Sequence, residues 1–259
     1  MDLGIAGRCA IVCASSRGLG RACAQSLAAE GVSVVVNGRD GARLKETAEE
    51  IRKATGAPIT EVVADLCTEE GRDTLLAACP DPDILINNNG GPPPGRFEDW
   101  DHAHWLAALE ANLLAPALLI RGVVGGMRAR RFGRIVNITS AMVKAPHPAM
   151  GLSTAARSAL TAVCKGLSKE VARDNVTINN LLPERIDTDR QRMMAELRAK
   201  TGGVSREQAY AEMAASIAAG RIGTPEEFGA ACAFLCSAHA SFVSGQNLQI
   251  DGGSYSGVF

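Results

Sequence analysis

Two stretches of this chain gather residue types that do chemistry. Near the start, Cys13-Ala14-Ser15-Ser16-Arg17-Gly18-Leu19-Gly20 joins an apolar run to an amphipathic one. Glycines at Gly18 and Gly20 let the backbone approach a phosphate, and a helix starting there aims free N–H groups and its positive dipole end at the anion. Ser15, Arg17, Gly18, Leu19 and Gly20 are therefore expected to hold the pyrophosphate of a dinucleotide. In the middle, Ser140, Ser153 and Arg157 supply two hydroxyls and a permanent cation. An aliphatic hydroxyl is a weak acid and guanidinium keeps its proton above a pKa of about 12, so these groups suit orienting an oxygen and holding positive charge better than relaying a proton.

Other residues could supply the proton. Lys144 and His147 lie in the loop between Ser140 and Ser153, Glu184 follows Pro183, and Tyr210 and Tyr255 are the only tyrosines. Lys144 is the preferred candidate, because an ammonium pressed against a cation and an apolar surface loses its proton more readily. The second apolar run ends Val36-Asn37-Gly38-Arg39, without the acid that would bond the ribose 2'-hydroxyl of NAD. Arg39, helped by Arg17, instead offers planar cations to a 2'-phosphate, so NADP(H) is expected over NAD(H).

These residues need a scaffold. RCAIVCA, VSVVVN, ITEVVAD, DILINN, GRIVNITS, VTINNLL and NLQIDG are short, nearly continuous apolar runs, as buried parallel strands require. Helical patterns fall near 18–30, 40–54, 68–78, 101–131, 152–173 and 225–237, with a further helical insertion near 189–218 placed to cover the site. The expectation is an α/β chain of the Rossmann type: one domain over 1–259, doubly wound, with a seven-stranded mainly parallel sheet and helices on both faces.

Bulk composition excludes several classes. With 27 basic and 28 acidic residues the formal charge is -1, too balanced for a polyanion partner. No run of about 18 consecutive apolar residues appears and the first residues lack a signal-peptide pattern, so a cytoplasmic protein without nucleic-acid or membrane partners is expected. The eight cysteines are scattered in apolar segments, which favours buried thiols over disulfides; Cys232 and Cys236 share a helical face but sit among core residues, and no metal is expected.

The motifs together resemble the short-chain dehydrogenase/reductase family, in particular its 3-oxoacyl-carrier-protein-reductase-like branch. The resemblance rests on the glycine turn, Asp65-Leu66, Asn87 through Gly90, Asn112, Ser140, Pro183 through Thr188, Arg221 through Glu227, and Asp251-Gly252-Gly253. It implies that Asp65 and Leu66 hold the adenine, Asn89 and Gly90 the adenosine ribose, and Pro183, Ile186 and Thr188 the nicotinamide end. It also implies that Ser140 orients the substrate oxygen and that Asn112 holds a water. Where the family has its proton-transferring Tyr and the Lys four residues later, this chain has Ser153 and Arg157; Ala14 stands where the family has its first glycine. The expected activity is interconversion of a small carbonyl, 3-oxoacyl-like or otherwise, and an alcohol with a non-standard proton donor, in a homodimer or homotetramer. A catalytically impaired partner subunit and a non-redox lyase are the alternatives.

Overall fold

The computed structural model describes residues 2–258. Seven strands, β1 Cys9–Val12, β2 Ser33–Gly38, β3 Ile59–Val63, β4 Ile84–Asn87, β5 Gly133–Ile138, β6 Val176–Pro183 and β7 Asn247–Ile250, form one sheet in the order β3-β2-β1-β4-β5-β6-β7. Every pairing is parallel, so the sheet is wholly, not mainly, parallel. The strand order reverses between β1 and β4, and such a switch point opens a crevice beyond the strand C-termini.

Because alternate strand residues face opposite sides, the apolar runs feed two cores at once. Val34, Val36, Ile84 and Ile86 pack against α1 (Gly18–Ala29), α2 (Gly41–Thr55) and α9 (Pro225–Cys236). Val35, Leu85 and Ile135 pack on the other face against α3 (Glu69–Ala77), α5 (Ala115–Ala129) and α6 (Gly151–Val171). Cys232 and Cys236 are buried in the first core, and among the described residues no cluster of His, Cys, Asp or Glu could hold a metal.

The helix expected over 101–131 is α4 (His102–Leu109) running into α5 through one π-turn, Glu110–Leu114. As a 28-residue unit it is long and apolar enough by composition to cross a membrane, yet Leu119, Ile120, Val123 and Met127 are buried on the sheet. The insertion near 189–218 is two helices, α7 (Asp189–Gly202) and α8 (Arg206–Ala215), started by the side-chain caps Thr188 and Ser205.

One polar feature crosses the core. Asn87, Asn137, Asn180 and Asn247 stand in register on β4, β5, β6 and β7. Each amide donates to the next carbonyl: Asn87 Nδ2 to Asn137 Oδ1 (2.9 Å), Asn137 Nδ2 to Asn180 Oδ1 (2.9 Å) and Asn180 Nδ2 to Asn247 Oδ1 (2.8 Å). The Cys13 thiol, just past β1, approaches Asn87 Oδ1 at 4.0 Å. Asn87, Asn137 and Asn180 are at most 3% exposed, where an unpaired amide would cost about 1–3 kcal/mol, so the ladder is satisfied as a unit.

Candidate active site

The nucleotide half grows out of the turn after β1. Ala14 sits at φ 44 and Gly18 at φ 58, both in the left-handed region. Ala14 is held there by Asn37 Oδ1, which accepts its N–H (3.2 Å), and by Asn88 Nδ2, which donates to its carbonyl (3.1 Å). A Cβ on Gly20 would stand 2.5 Å from that carbonyl, so only glycine fits as α1 crosses the strand end. At the first turn of α1 the cap residue, Arg17, gives no side-chain hydrogen bond, as at α5 and α6, whereas α2, α3, α4, α7, α8 and α9 are each capped by a side chain. An uncapped helix N-terminus at a switch point fits a pyrophosphate. The Thr188 methyl lies 3.7 Å from the Cβ position of Gly18, so both motifs border one mouth.

Ser15 is a correction to the sequence reading. It is fully buried, its hydroxyl donates to Val12 O (2.8 Å) and accepts from Asn37 N (2.9 Å), and its own N–H goes to Asn37 O. Locking β1 to β2 leaves it nothing for a ligand. Its neighbour Ser16 stands instead at the strand end, its hydroxyl 3.1 Å from the Cβ position of Gly38 and hence beside Arg39.

Arg39 and Arg17 reach Asp65 and Asp189, each at 3.8 Å, with side chains 78% and 70% exposed. Pairs so long and wet are worth less than about 1 kcal/mol, so both guanidiniums are available to a phosphate. Arg17 leans toward α7, where it pairs with Asp189 and not with a group on β2.

The second half lies where β4, β5 and α6 meet. The π-turn brings Asn112 inward: its Nδ2 donates to Ala108 O (3.4 Å) and Gly90 O (3.5 Å), while its buried Oδ1 has no partner. Such turns recur at functional sites. That oxygen borders a cavity of about 20 Å³, shared with Asn89, Ile138, Arg157 and Leu160, with room for one water. Ser153 and Arg157 are one helical turn apart on α6, 5% and 8% exposed. Arg157 donates from Nε to Ser153 Oγ (3.2 Å), from Nη1 to Ile138 O at the end of β5 (2.6 Å) and from Nη2 to Asn89 O (3.4 Å). Burial, and next the charge of Arg190, push its pKa down to about 10. Ser140 follows β5 and caps a 3-10 turn, accepting from Met142 N (3.2 Å).

The candidate proton donors are not brought to this pair. Lys144 Nζ donates to Gln249 Oε1 (3.1 Å) and sits 5.5 Å from the Tyr255 ring, because the β7 end and the C-terminal segment pack against its loop. Lys144 makes no hydrogen bond to Ser140, Ser153 or Arg157. His147 caps the turn before α6 and is exposed. Tyr210 turns to Asp187, which together with burial raises its pKa. Glu184 faces a separate cavity of about 220 Å³ with Arg221, Gln249 and Asp251, and burial raises its pKa. Of the residues expected at the nicotinamide end, Pro183 closes β6 and Ile186 is buried in a bridge with Gly223. Asp65 accepts from Cys67 N (3.0 Å), Leu66 is core, and Asn89 Oδ1 accepts from Gly90 N (2.9 Å). Arg190, overlooked in the sequence reading, reaches the loop after β4 from the start of α7: Nη1 to Gly91 O (3.3 Å) and Nη2 to Pro92 O (2.9 Å).

A doubly wound sheet, an uncapped glycine turn at its switch point and a hydroxyl–cation pair at the end of β5 define the dinucleotide-dependent oxidoreductase class. A family model described as "Enoyl-(Acyl carrier protein) reductase" matches residues 13–255. The chain is 31% identical to the NADPH-dependent reductase BacG of Bacillus subtilis, over 97% of this chain and 99% of that one. It is equally 31% identical to the 3-oxoacyl-[acyl-carrier-protein] reductase FabG of Aquifex aeolicus, over 98% and 100%. L-sorbose reductase from Gluconobacter frateurii, solved with NADPH and L-sorbose, superposes with a TM-score of 0.94 at 30% identity, with all of both chains covered. The chain belongs to the short-chain dehydrogenase/reductase family, on its 3-oxoacyl-carrier-protein-reductase-like side.

Proposed function

We propose that this protein is an NADP(H)-dependent oxidoreductase that interconverts a small carbonyl compound and its alcohol. The observation that carries the reading is the pairing of an uncapped α1 N-terminus, flanked by Arg39 on an acid-free β2 end, with the buried Ser153–Arg157 pair across the same crevice. The relatives named above that use NADPH support it. When bound, the dinucleotide supplies or accepts the hydride.

The chain's own residues do the rest. The N–H groups at Gly18, Leu19 and Gly20 bind the pyrophosphate, and Arg39, with the Ser16 hydroxyl beside it, binds the 2'-phosphate. Arg157 keeps fixed positive charge at the nicotinamide end and offers its remaining Nη1 N–H to a ribose hydroxyl, leaving one Nη2 N–H facing the space beside Gly91. Ser140 orients the substrate oxygen, and Asn112 holds the cavity water in place. Ser153 positions the Arg157 guanidinium by accepting from Nε and does not titrate near neutral pH. The α4–α5 helix leaves Leu106 and Leu114 exposed, which suits a homodimer or homotetramer pairing through this helix.

Titration of the purified protein with NADPH and NADH tests the cofactor reading. NADPH should bind at least tenfold more tightly, and Arg39→Ala should remove most of that preference, since a charge-assisted contact is worth about 1.5–3 kcal/mol. Equal affinities would overturn it. Failure to reduce any member of a ketone, aldehyde and 3-oxoacyl panel would remove the enzymatic reading.

A further inference from the structure

Arg190 is half-buried at the second position of α7 and spans the pocket to the loop after β4. Among the described residues neither Arg190 nor Arg157 has an acidic partner, although the other arginines of this region do: Arg185 with Glu184, Arg192 with Asp187 and Asp189, Arg198 with Glu212. The two unpaired cations converge. Arg157 Nη2 lies 3.6 Å, Arg190 Nη2 3.9 Å and Ser153 Oγ 3.9 Å from the point where a Cβ on Gly91 would stand. Two guanidiniums focused on one point repel each other, and an anion between them reverses that energy.

Arg134 shows what a purely structural buried arginine looks like in this protein. It also lacks an acid, but carbonyls of Ser237, Gly133 and Asn175 and the Asn175 side chain accept from it, and its guanidinium stacks on Phe132. Arg157 has one short bond, one ordinary bond and one at 3.4 Å, and among the described residues no aromatic ring stacks on it. Its donors are not used up.

We infer that the space beside Gly91, bounded by Arg157, Arg190 and Ser153, is a carboxylate subsite, and that the physiological carbonyl substrate is an oxo acid or, in reverse, a hydroxy acid. This rests on the oxidoreductase reading and specifies its substrate class. The serine at position 153 contributes by being small: a hydroxymethyl group leaves open the volume that a larger side chain at the helix start would fill. Gly91 contributes likewise, since any side chain there would occupy the anion's place. Planar guanidiniums suit a carboxylate because each can present paired N–H donors to its two oxygens.

The test uses the protein saturated with NADP+ and reads tryptophan fluorescence, because Trp100 packs against Gly95 and Gly151 beside the site. Malonate and acetoacetate are the anionic probes and methyl acetoacetate the neutral one. Both anions should bind saturably and at least tenfold more tightly than the ester. Arg190→Met should weaken malonate roughly ten- to hundredfold, with partial recovery in Arg190→Lys. Gly91→Ala, whose methyl meets its nearest neighbours at 3.6–3.9 Å, should weaken malonate without removing charge. NADPH affinity should change less than about twofold in Gly91→Ala, which separates a filled subsite from a misfolded one. Equal malonate binding by wild type, Arg190→Met and Gly91→Ala, or equal binding of acid and ester, overturns the subsite. If neutral ketones are reduced and oxo acids are not, the subsite falls while the oxidoreductase reading stands; if malonate binds as expected and no carbonyl is reduced, the oxidoreductase reading falls and the substrate assignment with it.

Discussion

Replacing Arg157 with methionine should leave the ligand-free protein as stable as wild type or slightly more so, although it removes three hydrogen bonds. Among the described residues the guanidinium is buried without a counter-ion, and burial followed by the Arg190 charge lowers its pKa from its ordinary value to about 10. At about 1.4 kcal/mol per unit, carrying that proton costs the fold roughly 3 kcal/mol. The sign is fixed by linkage: a folded-state pKa below the unfolded one means the cost is fully present below about pH 10 and fades only as pH climbs toward the ordinary arginine value. Against this, the variant forfeits the bonds to Ile138 O and Ser153 Oγ, each worth about 1 kcal/mol, and the weak contact to Asn89 O. The balance is a gain of about 1 kcal/mol. At about 2 °C per kcal/mol for a chain of this length, the melting temperature should rise about 2 °C while NADPH no longer raises it further. Urea unfolding of both proteins at pH 7, with and without NADPH, measures each part. A loss of more than about 1 kcal/mol in the ligand-free variant would refute the reasoning, because Arg157 would then be a structural group and not a functional charge held against its own cost.

Ala14→Gly should stabilise by about 0.5–1 kcal/mol in thermal melts: relief of a left-handed alanine, about 1–2 kcal/mol, outweighs the extra freedom glycine gives the unfolded chain. Asn137→Ala should lose about 4 kcal/mol and about 8 °C, since it strands Asn87 Nδ2 and Asn180 Oδ1 in the core; a loss under 1 kcal/mol would show that neither needs its partner. Glu184→Gln should stabilise at pH 7 but not at pH 4, because burial raises the Glu184 pKa and the wild type is penalised only as pH rises through that value; urea midpoints at the two pH values decide it. Ser153→Ala should weaken NADPH by no more than about fivefold and leave its melting temperature within about 3 °C, as one hydrogen bond from Arg157 is lost while no proton donor is.

Much of this was legible from local pattern. The strands are short runs of Val, Ile and Leu, the crossovers have helical period, and Gly20 sits in the turn where a Cβ would strike the Ala14 carbonyl. What was not legible depends on contacts distant in sequence. Ser15 and Ser16 look alike as letters, and only the pairing of β1 with Asn37 makes one a buried staple and the other a rim hydroxyl. Lys144 faces Gln249 because β7 lies beside β6, and Arg190 reaches Pro92 because the start of α7 packs on the loop after β4. The π-turn at Asn112 inserts a residue into a helix whose apolar period continues on both sides, and so leaves little trace in the pattern.

The asparagine ladder is directional. Its first member accepts from the Cys13 thiol at 4.0 Å, and Asn87 turns its oxygen toward β1 and its nitrogen toward β5. That choice passes along the row, because reversing any one amide would set oxygen against oxygen on one side and nitrogen against nitrogen on the other. Four side chains on four strands thus share one orientation. The amide dipoles all point the same way across the sheet, in a row that runs from the nucleotide turn beside Cys13 to the far strand β7.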